Sequence, residues 1–477
     1  MKSYETVIGL EVHVELATKT KIFCGCTTEF GGDPNTHCCP VCTGMPGTLP
    51  VLNKQVVEYA IAAGLAMNCK ITQRCKFDRK NYFYPDLPKA YQVSQLYLPI
   101  CRNGGIEIET NGVKKVIGIH EIHMEEDAGK LVHDPWDDCT LVDYNRCGVP
   151  LIEIVSEPDM RSADEVIAYL EKLKLILQYL GVSDCKMQEG SLRADINLSI
   201  REVGAPEFGT RTEMKNMNSF KAIARAIEGE RKRQIELIEY GKSVVQETRR
   251  WDDNKDTSFA MRSKEDAQDY RYFPEPDLVP IEISDEWLVT VKNRQPELRD
   301  EKMQRYEKEY DIPEYDAGII TSSKTLADLF EATVAICGKP KEVSNWLMVE
   351  TMRLLKEHEM EPEAISFAPE NLAKLIGLID ANAINRTVAK EVFEKVFAEN
   401  VDPEAYVKEK GLMIVNDEGA LRSTIESIVA ANPQSVEDYN NGKTKAMGFL
   451  VGQAMKEMKG KADPGMINRI LLEILNK

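Results

Sequence analysis

The hydrophobic period changes once along this chain, and that change limits the fold more than any single motif. Through the first 280 or so residues, apolar and polar residues alternate in stretches such as 7–16 (VIGLEVHVEL) and 192–200 (LRADINLSI), the two-residue period of half-buried strands. Segments 106–109 and 115–119 flank Asn111-Gly112, which predicts a β-hairpin. Helices intervene. Val166, Leu170, Leu173, Leu177 and Leu180 recur at three- and four-residue steps; Ser162 with Glu165 predicts a capping box and Gly181 a stop. Residues 220–240 read as a second helix. From about Gln295 onward the alternation disappears and short helices, punctuated by prolines from Pro296 to Pro464, take over. The expected class is α+β: a mixed α/β region at 1–294, a helical domain at 295–404 hinged near 399–404, and a helical tail at 405–477.

The formal charge of −18 repels nucleic acid at long range, so any such contact needs a local basic cluster. No apolar run approaches the length of a spanning helix. The N-terminus places Lys2, Glu5, Glu11 and Glu15 where a secretory signal needs an apolar core, which reads as a cytoplasmic chain. In that setting 12 cysteines point to free thiols or metal ligands rather than disulfides. Cys24 and Cys26, then Cys39 and Cys42 after 12 residues, form a C-x-C and a C-x2-C pair separated by a turn-rich loop. Four thiolates with no open position favour structural zinc. Pro40, Gly44, Pro46 and Gly47 argue against a redox C-x-x-C at a helix start, and Cys38 or His37 can replace a member of the tetrad.

Four further segments are dense in carboxylates. Glu11, His13 and Glu15 project from one strand face; 123–130 (HMEEDAGK) brings His123, Glu125, Glu126 and Asp127; 188–197 brings Glu189, Arg193, Asp195 and Asn197; 213–218 brings Glu213 and Lys215. Carboxylates converging with an imidazole suit a hard divalent ion such as magnesium. Any one segment alone reads better as solvated surface; four of them in one domain shift the balance. No G-x4-G-K-[ST] or G-x-G-x-x-G is present, so the residues by themselves leave the reaction at metal-assisted chemistry. Two basic sets stand against the acidic background. One is the tail, with Lys443, Lys445, Lys456 and Lys459 around an apolar helix. The other is Lys221, Arg225, Arg231, Lys232 and Arg233 with Arg249-Arg250-Trp251, which suits a phosphate or an unstacked base, or else a solvated helix face.

The strings VIGLEVHVEL, KFDRKNYFYPDLPKAYQVSQ, HMEEDAGK, LVDYNR, PLIEIVSEPD, EGSLRADIN, EMKNMNSF, DYRYFPEPDLVP and GKTKAMGFLVGQAMK together resemble the B subunit of the glutamine-dependent aspartyl/glutamyl-tRNA amidotransferase. The resemblance runs from residue 4 to the C-terminus. It implies a three-subunit complex, in which an A subunit releases ammonia from glutamine and a small C subunit braces the other two against each other. The B subunit binds mischarged tRNA and uses ATP and Mg²⁺ to phosphorylate the free side-chain carboxylate, which ammonia then converts to the amide. It further implies a catalytic set of Glu11, His13, Glu126, Asp195 and Glu213, with magnesium at Glu11, His13, Glu125 and Glu126. Lys80 and Arg193 are the implied nucleotide contacts, Cys24, Cys26, Cys39 and Cys42 a structural zinc knuckle, and Lys443, Lys445, Lys456 and Lys459 the tRNA contacts of a tail domain behind an N-terminal cradle. A tRNA-binding scaffold without chemistry and a metal-dependent phosphohydrolase are the alternatives.

Overall fold

The computed structural model describes residues 3–134, 136–263, 269–414, 418–443, 445–458 and 464–475. The chain forms two compact units, Met1–Leu298 and Arg299–Lys477.

The first unit is organised by one long strand. β1 (Tyr4–Glu15) carries Ile8, Leu10, Val12 and Val14 on one face, all buried, and Glu11, His13 and Glu15 on the other. Helix α1 (Lys54–Ala66) follows, and then come short strands β2 (Lys70–Ile71), β3 (Arg74–Cys75), β4 (Asp78–Asn81) and β5 (Tyr91–Ser94). The predicted hairpin is β6 (Cys101–Thr110) and β7 (Val113–Glu126). Its turn has φ 52° at Asn111 and 75° at Gly112, the left-handed pair such turns require. β8 (Lys130–His133) pairs with β9 (Thr140–Asp143), and β10 (Pro150–Ser156) leads into α2 (Ala163–Leu180). Ser162 caps α2 by accepting from the Glu165 N–H, and Gly181 closes it with φ 69°. The reciprocal half of the capping box is redirected: the Glu165 carboxylate takes the Arg161 N–H at 2.7 Å and the Lys115 ammonium at 2.8 Å. β11 (Leu192–Glu202), β12 (Thr212–Lys215), α3 (Phe220–Glu239), β13 (Glu247–Asp252), β14 (Thr257–Ser263), β15 (Phe273–Pro274), β16 (Ile281–Glu282) and α4 (Asp285–Asn293) complete the unit.

Nine of these strands form a single sheet in the order β14-β13-β12-β11-β1-β10-β7-β6-β2, with β12 and β13 parallel and the other pairs antiparallel. Alternation sorts the side chains. Leu10, Val12, Ile122, Ile152, Ile154, Ile196 and Met214 turn into a core shared with Val57 and Ile61 of α1, Leu170 and Leu173 of α2 and Ile223 and Ile227 of α3. The opposite face of the central strands carries the acids and imidazoles.

The second unit is helical throughout its described residues. α5 (Arg299–Tyr310), α6 (Glu314–Ile320), α7 (Lys324–Cys337), α8 (Pro340–Asn345), α9 (Met352–Glu357), α10 (Pro369–Asp380), α11 (Arg386–Glu399) and α12 (Pro403–Glu409) share one core around Phe330, Leu375 and Phe393. A π-helical turn, Trp346–Thr351, joins α8 to α9. α13 (Glu418–Ala431), α15 (Lys445–Glu457) and α16 (Pro464–Leu475) build a separate core around Ile425, Leu450 and Ile470, with α14 (Pro433–Asn440) between α13 and α15 in the chain. Val407 of α12 packs with the earlier helices, so the two cores part between Leu412 and Leu421 rather than at the hinge read near 399–404. Gln295 donates to the Ala62 carbonyl at 2.8 Å and so belongs to the first unit.

Candidate functional site

Sheet register converts the scattered acids into rows. Antiparallel pairing puts residues opposite one another on the same face. His13 of β1 lies between Arg193 of β11 and Glu153 of β10, and Glu153 lies opposite His123 of β7. One row across four strands therefore reads Arg193, His13, Glu153, His123. In the next row Glu11 is opposite Asp195. Glu213 sits one row further on, opposite Asn197.

Two groups of metal-capable atoms result, each within 4.8 Å of one another: His13 with Glu125 and Glu153, and Glu11 with Asp195 and Glu213. His13 Nε2 is 3.4 Å from both Glu125 Oε1 and Glu153 Oε2. In the second group Asn197 donates to Glu11 at 2.9 Å, Thr248 donates to Glu213 at 2.6 Å, and the Lys215 ammonium pairs with Asp195 and, at 3.1 Å, with Glu213. Both sets fit a hard divalent ion, since each combines oxygen donors that face one another with a polar wall of fixed hydrogen bonds.

The electrostatics follow from burial among like charges. Burial raises the Glu11 carboxyl, and Glu153, Glu213 and Asp195 add to this against the Asn197 hydrogen bond. Burial works against a charged His13, yet Glu153 and Glu125 outweigh it and hold the imidazole at about 8. Burial, then the charge and hydrogen bond of Asp127, push Glu15 up to about 8. Asp127 is also gripped by Arg193 at 2.9 Å and Arg146 at 3.3 Å.

Other residues singled out from the sequence lie elsewhere. Glu126 turns away from His13: it pairs with the Lys89 ammonium and accepts the Val93 N–H at 2.9 Å. It lines a cavity of about 120 Å³ together with Lys21, Cys24, Cys42, Lys89, Tyr91 and Glu275. Lys80 lies on β4, its Nζ 4.9 Å above the Tyr270 ring and 5.8 Å from that of Tyr82. Glu189 sits in the turn before β11, paired with the exposed Lys186 at 2.9 Å. Of the set read from 221–251, Trp251 is 1% exposed, lies under Gly229 of α3 and donates to Asp253 at 3.1 Å, while Arg249 is buried against Glu230 and Glu247. The expected stacking platform is thus core, because the alternation of β13 turns Trp251 inward. Arg225 and Arg231 are ion-paired, which is the solvated-face reading of that helix, while Arg233 pairs inward with the buried Glu230. In the tail, Lys443 pairs with Asp438 at 2.9 Å, Lys445 opens α15 and Lys456 lies in its last turn, while Lys459 lies outside the described residues.

The sulfurs of Cys24, Cys26, Cys39 and Cys42 form a third group, again within 4.8 Å of one another. Tetrahedral zinc with 2.3 Å bonds needs sulfurs about 3.8 Å apart. The Cys39–Cys42 separation is 4.0 Å, and the Cys39 N–H already points at Cys42 Sγ at 3.1 Å. The substitutes are engaged elsewhere: Cys38 Sγ contacts the Asn35 carbonyl at 3.3 Å, and the His37 ring lies against Gly32. The donor set fits zinc.

The GatB/GatE catalytic-domain family matches residues 6–289 of the 477. The chain belongs to the GatB/GatE family. A second GatB domain family matches residues 328–475. The chain is 81% identical over its whole length to the B subunit of the aspartyl/glutamyl-tRNA(Asn/Gln) amidotransferase of Lachnoclostridium phytofermentans and 72% identical to that of Agathobacter rectalis, each fully covered. It is 62% identical to that of Caldicellulosiruptor bescii, with 99% of both chains covered.

Within this GatB-family unit, sequence reasoning missed Glu153, the carboxylate between two imidazoles. Its signal was present: in 150–156 (PLIEIVS) a single acid interrupts an otherwise apolar strand. Among the described residues no helix is long and apolar enough to cross a membrane.

Proposed function

We propose that the chain is the B subunit of a cytoplasmic aspartyl/glutamyl-tRNA amidotransferase, a carbon–nitrogen ligase with glutamine as amido donor, and that its polar sheet face activates the tRNA-borne carboxylate. The observation that carries this reading is the register itself. It brings Glu11, His13, Glu125, Glu153, Asp195 and Glu213 from five strands onto one face as two groups, each of which could hold a cation. Magnesium there would neutralise charge on the phosphates of ATP.

The chain's own residues do the rest. Arg193, anchored by Asp127, offers a guanidinium beside His13 for an anionic oxygen of substrate or nucleotide. Lys80, over its tyrosines, is a second cation for the nucleotide. The substrate carboxylate attacks the γ-phosphorus, ADP leaves, and an acyl phosphate forms; ammonia from the A subunit then attacks the carbonyl and phosphate leaves. Lys443, Lys445, Lys456 and Lys459 contact the body of the tRNA, Cys24, Cys26, Cys39 and Cys42 would hold a zinc that braces the fold, and the small C subunit ties the A subunit to this chain.

The test is reconstitution with the A and C subunits, mischarged tRNA, glutamine, ATP and Mg²⁺, following the amide on tRNA. Asp195→Ala is expected to bind tRNA and form no amide. Full activity of that variant, or ATP hydrolysis that ignores tRNA, would sink the reading.

A further inference from the structure

Beside the cysteine knuckle lies a charge that none of this chemistry uses. Lys21 is 0% exposed. Its Nζ is 3.7 Å from Cys42 Sγ, and among the described residues no carboxylate lies within ion-pair distance of it. The residue is fixed in place: its N–H donates to the Cys26 carbonyl at 3.0 Å, and its side chain runs past Gly148. Fully buried lysines are rare unless paired, because removing an ammonium from water is costly. Thiols are poor partners for it, being weak acceptors without charge.

The loaded knuckle supplies that anion. A divalent ion held by four thiolates leaves a cluster of net charge −2. A buried ammonium at hydrogen-bond distance from one of those sulfurs favours the loaded state over the empty one. It also draws electron density from that sulfur, as outer-layer partners of metal ligands do. We propose that Lys21 is the built-in counter-charge of a tetrathiolate metal site, and that its ammonium, donated to Cys42, raises the affinity of the knuckle for zinc. The inference rests on reading the knuckle as a metal site.

The experiment uses the full chain as wild type, Lys21→Met and Lys21→Gln. Zinc content is measured on purified protein, zinc affinity by competition with a chromophoric chelator at fixed pH, and the thiolate-to-metal charge-transfer band after loading with Co²⁺. Lys21→Met is expected to bind zinc ~10–100-fold more weakly, with the cobalt band moved to lower energy. Lys21→Gln keeps a donor but no charge, so it is expected to fall between the two, and it decides the matter if Lys21→Met does not fold. Variants within twofold of wild type, with the band unmoved, overturn the role of Lys21 while leaving the knuckle standing. Wild-type chain that holds no zinc and takes up no Co²⁺ overturns the knuckle itself, and the counter-charge with it.

Discussion

Glu153 Oε2 lies 2.9 Å from His123 Nε2, and the same oxygen is 3.4 Å from His13 Nε2. One carboxylate thus bridges two imidazoles across three strands. Burial opposes its ionisation, but the two imidazoles hold the Glu153 carboxyl well below the usual range. Glu153→Gln removes the charge and keeps the shape. The expected result is a loss of tRNA-dependent ATP turnover of about 100-fold or more, on the scale of deleting one preorganised electrostatic partner, with tRNA binding retained. Turnover within a few-fold of wild type would remove Glu153 from the site.

Thr248 tests how the second group is held. It is buried, lies opposite Glu213 across the parallel β12–β13 pair, and donates to that carboxylate at 2.6 Å. Thr248→Val keeps the volume and deletes the donor. A hydrogen bond to a charged group contributes about 1.5 kcal/mol, so a modest fall in melting temperature is expected. A positioning role adds something that packing alone does not: kcat falls while KM for tRNA stays constant. A change confined to stability would mean that Thr248 only packs.

The buried Glu230 predicts a pH dependence. It is 0% exposed and takes Arg233 at 2.7 Å, the Thr212 hydroxyl at 2.8 Å and Gln234 at 2.9 Å. Burial raises its carboxyl, but Arg233 and these hydrogen bonds outweigh it and the net shift is downward. A folded-state value below the unfolded one (about 4.3) means stability that is fully present above that pH and lost as pH falls through the folded value. Glu230→Gln is therefore expected to cost about 3 kcal/mol at neutral pH, chiefly by taking the main partner from Arg233. Denaturant titrations should show the gap from wild type closing toward acid; a gap that widens there would contradict the assignment.

What the sequence could show of this molecule follows from locality. The period-two stretch at 7–16, the Asn111-Gly112 turn and the Ser162 and Gly181 ends of α2 depend on near neighbours, and all are found where they were expected. The split of the acids into two groups depends on which strand lies beside β1, and β10 and β11 are neighbours from more than 130 residues away. No local pattern carries that, so Glu11 and His13, two residues apart, read as one site when register assigns them to two. Likewise Glu125 and Glu126 look equivalent in HMEEDAGK, yet alternation sends Glu125 to His13 and Glu126 to Lys89. Trp251 misleads for the same reason: an aromatic next to arginines looks like a stacking surface until the strand's inward face is known.

Two glycines separate backbone strain from packing. An added Cβ at Gly112 meets nothing within 4 Å, so Gly112→Ala is penalised only by its φ of 75°, at about 1 kcal/mol. At Gly209 the added carbon lies 2.1 Å from the Ile200 carbonyl oxygen, on the strand that carries Asp195. Gly209→Ala should lower the melting temperature well beyond Gly112→Ala and depress ATP turnover, while Gly112→Ala leaves turnover unchanged. Equal thermal shifts from the two would argue against the close approach at Gly209.

Lys445 provides the test of the tail. It is the exposed first residue of α15, where the positive end of the helix dipole adds to its own charge. Its neighbour Lys443 is already paired with Asp438, so the two lysines should differ in what they contribute. A lysine that neutralises one phosphate releases about one counterion. Lys445→Ala is therefore expected to reduce the slope of log affinity against log salt by about one, and to weaken binding evenly across tRNA species. Lys443→Ala should change the slope less, since Asp438 already offsets its charge. Filter-binding titrations over a range of salt read both quantities. An unchanged slope for Lys445→Ala would place the tRNA contact elsewhere in the chain, whatever the net charge of the tail.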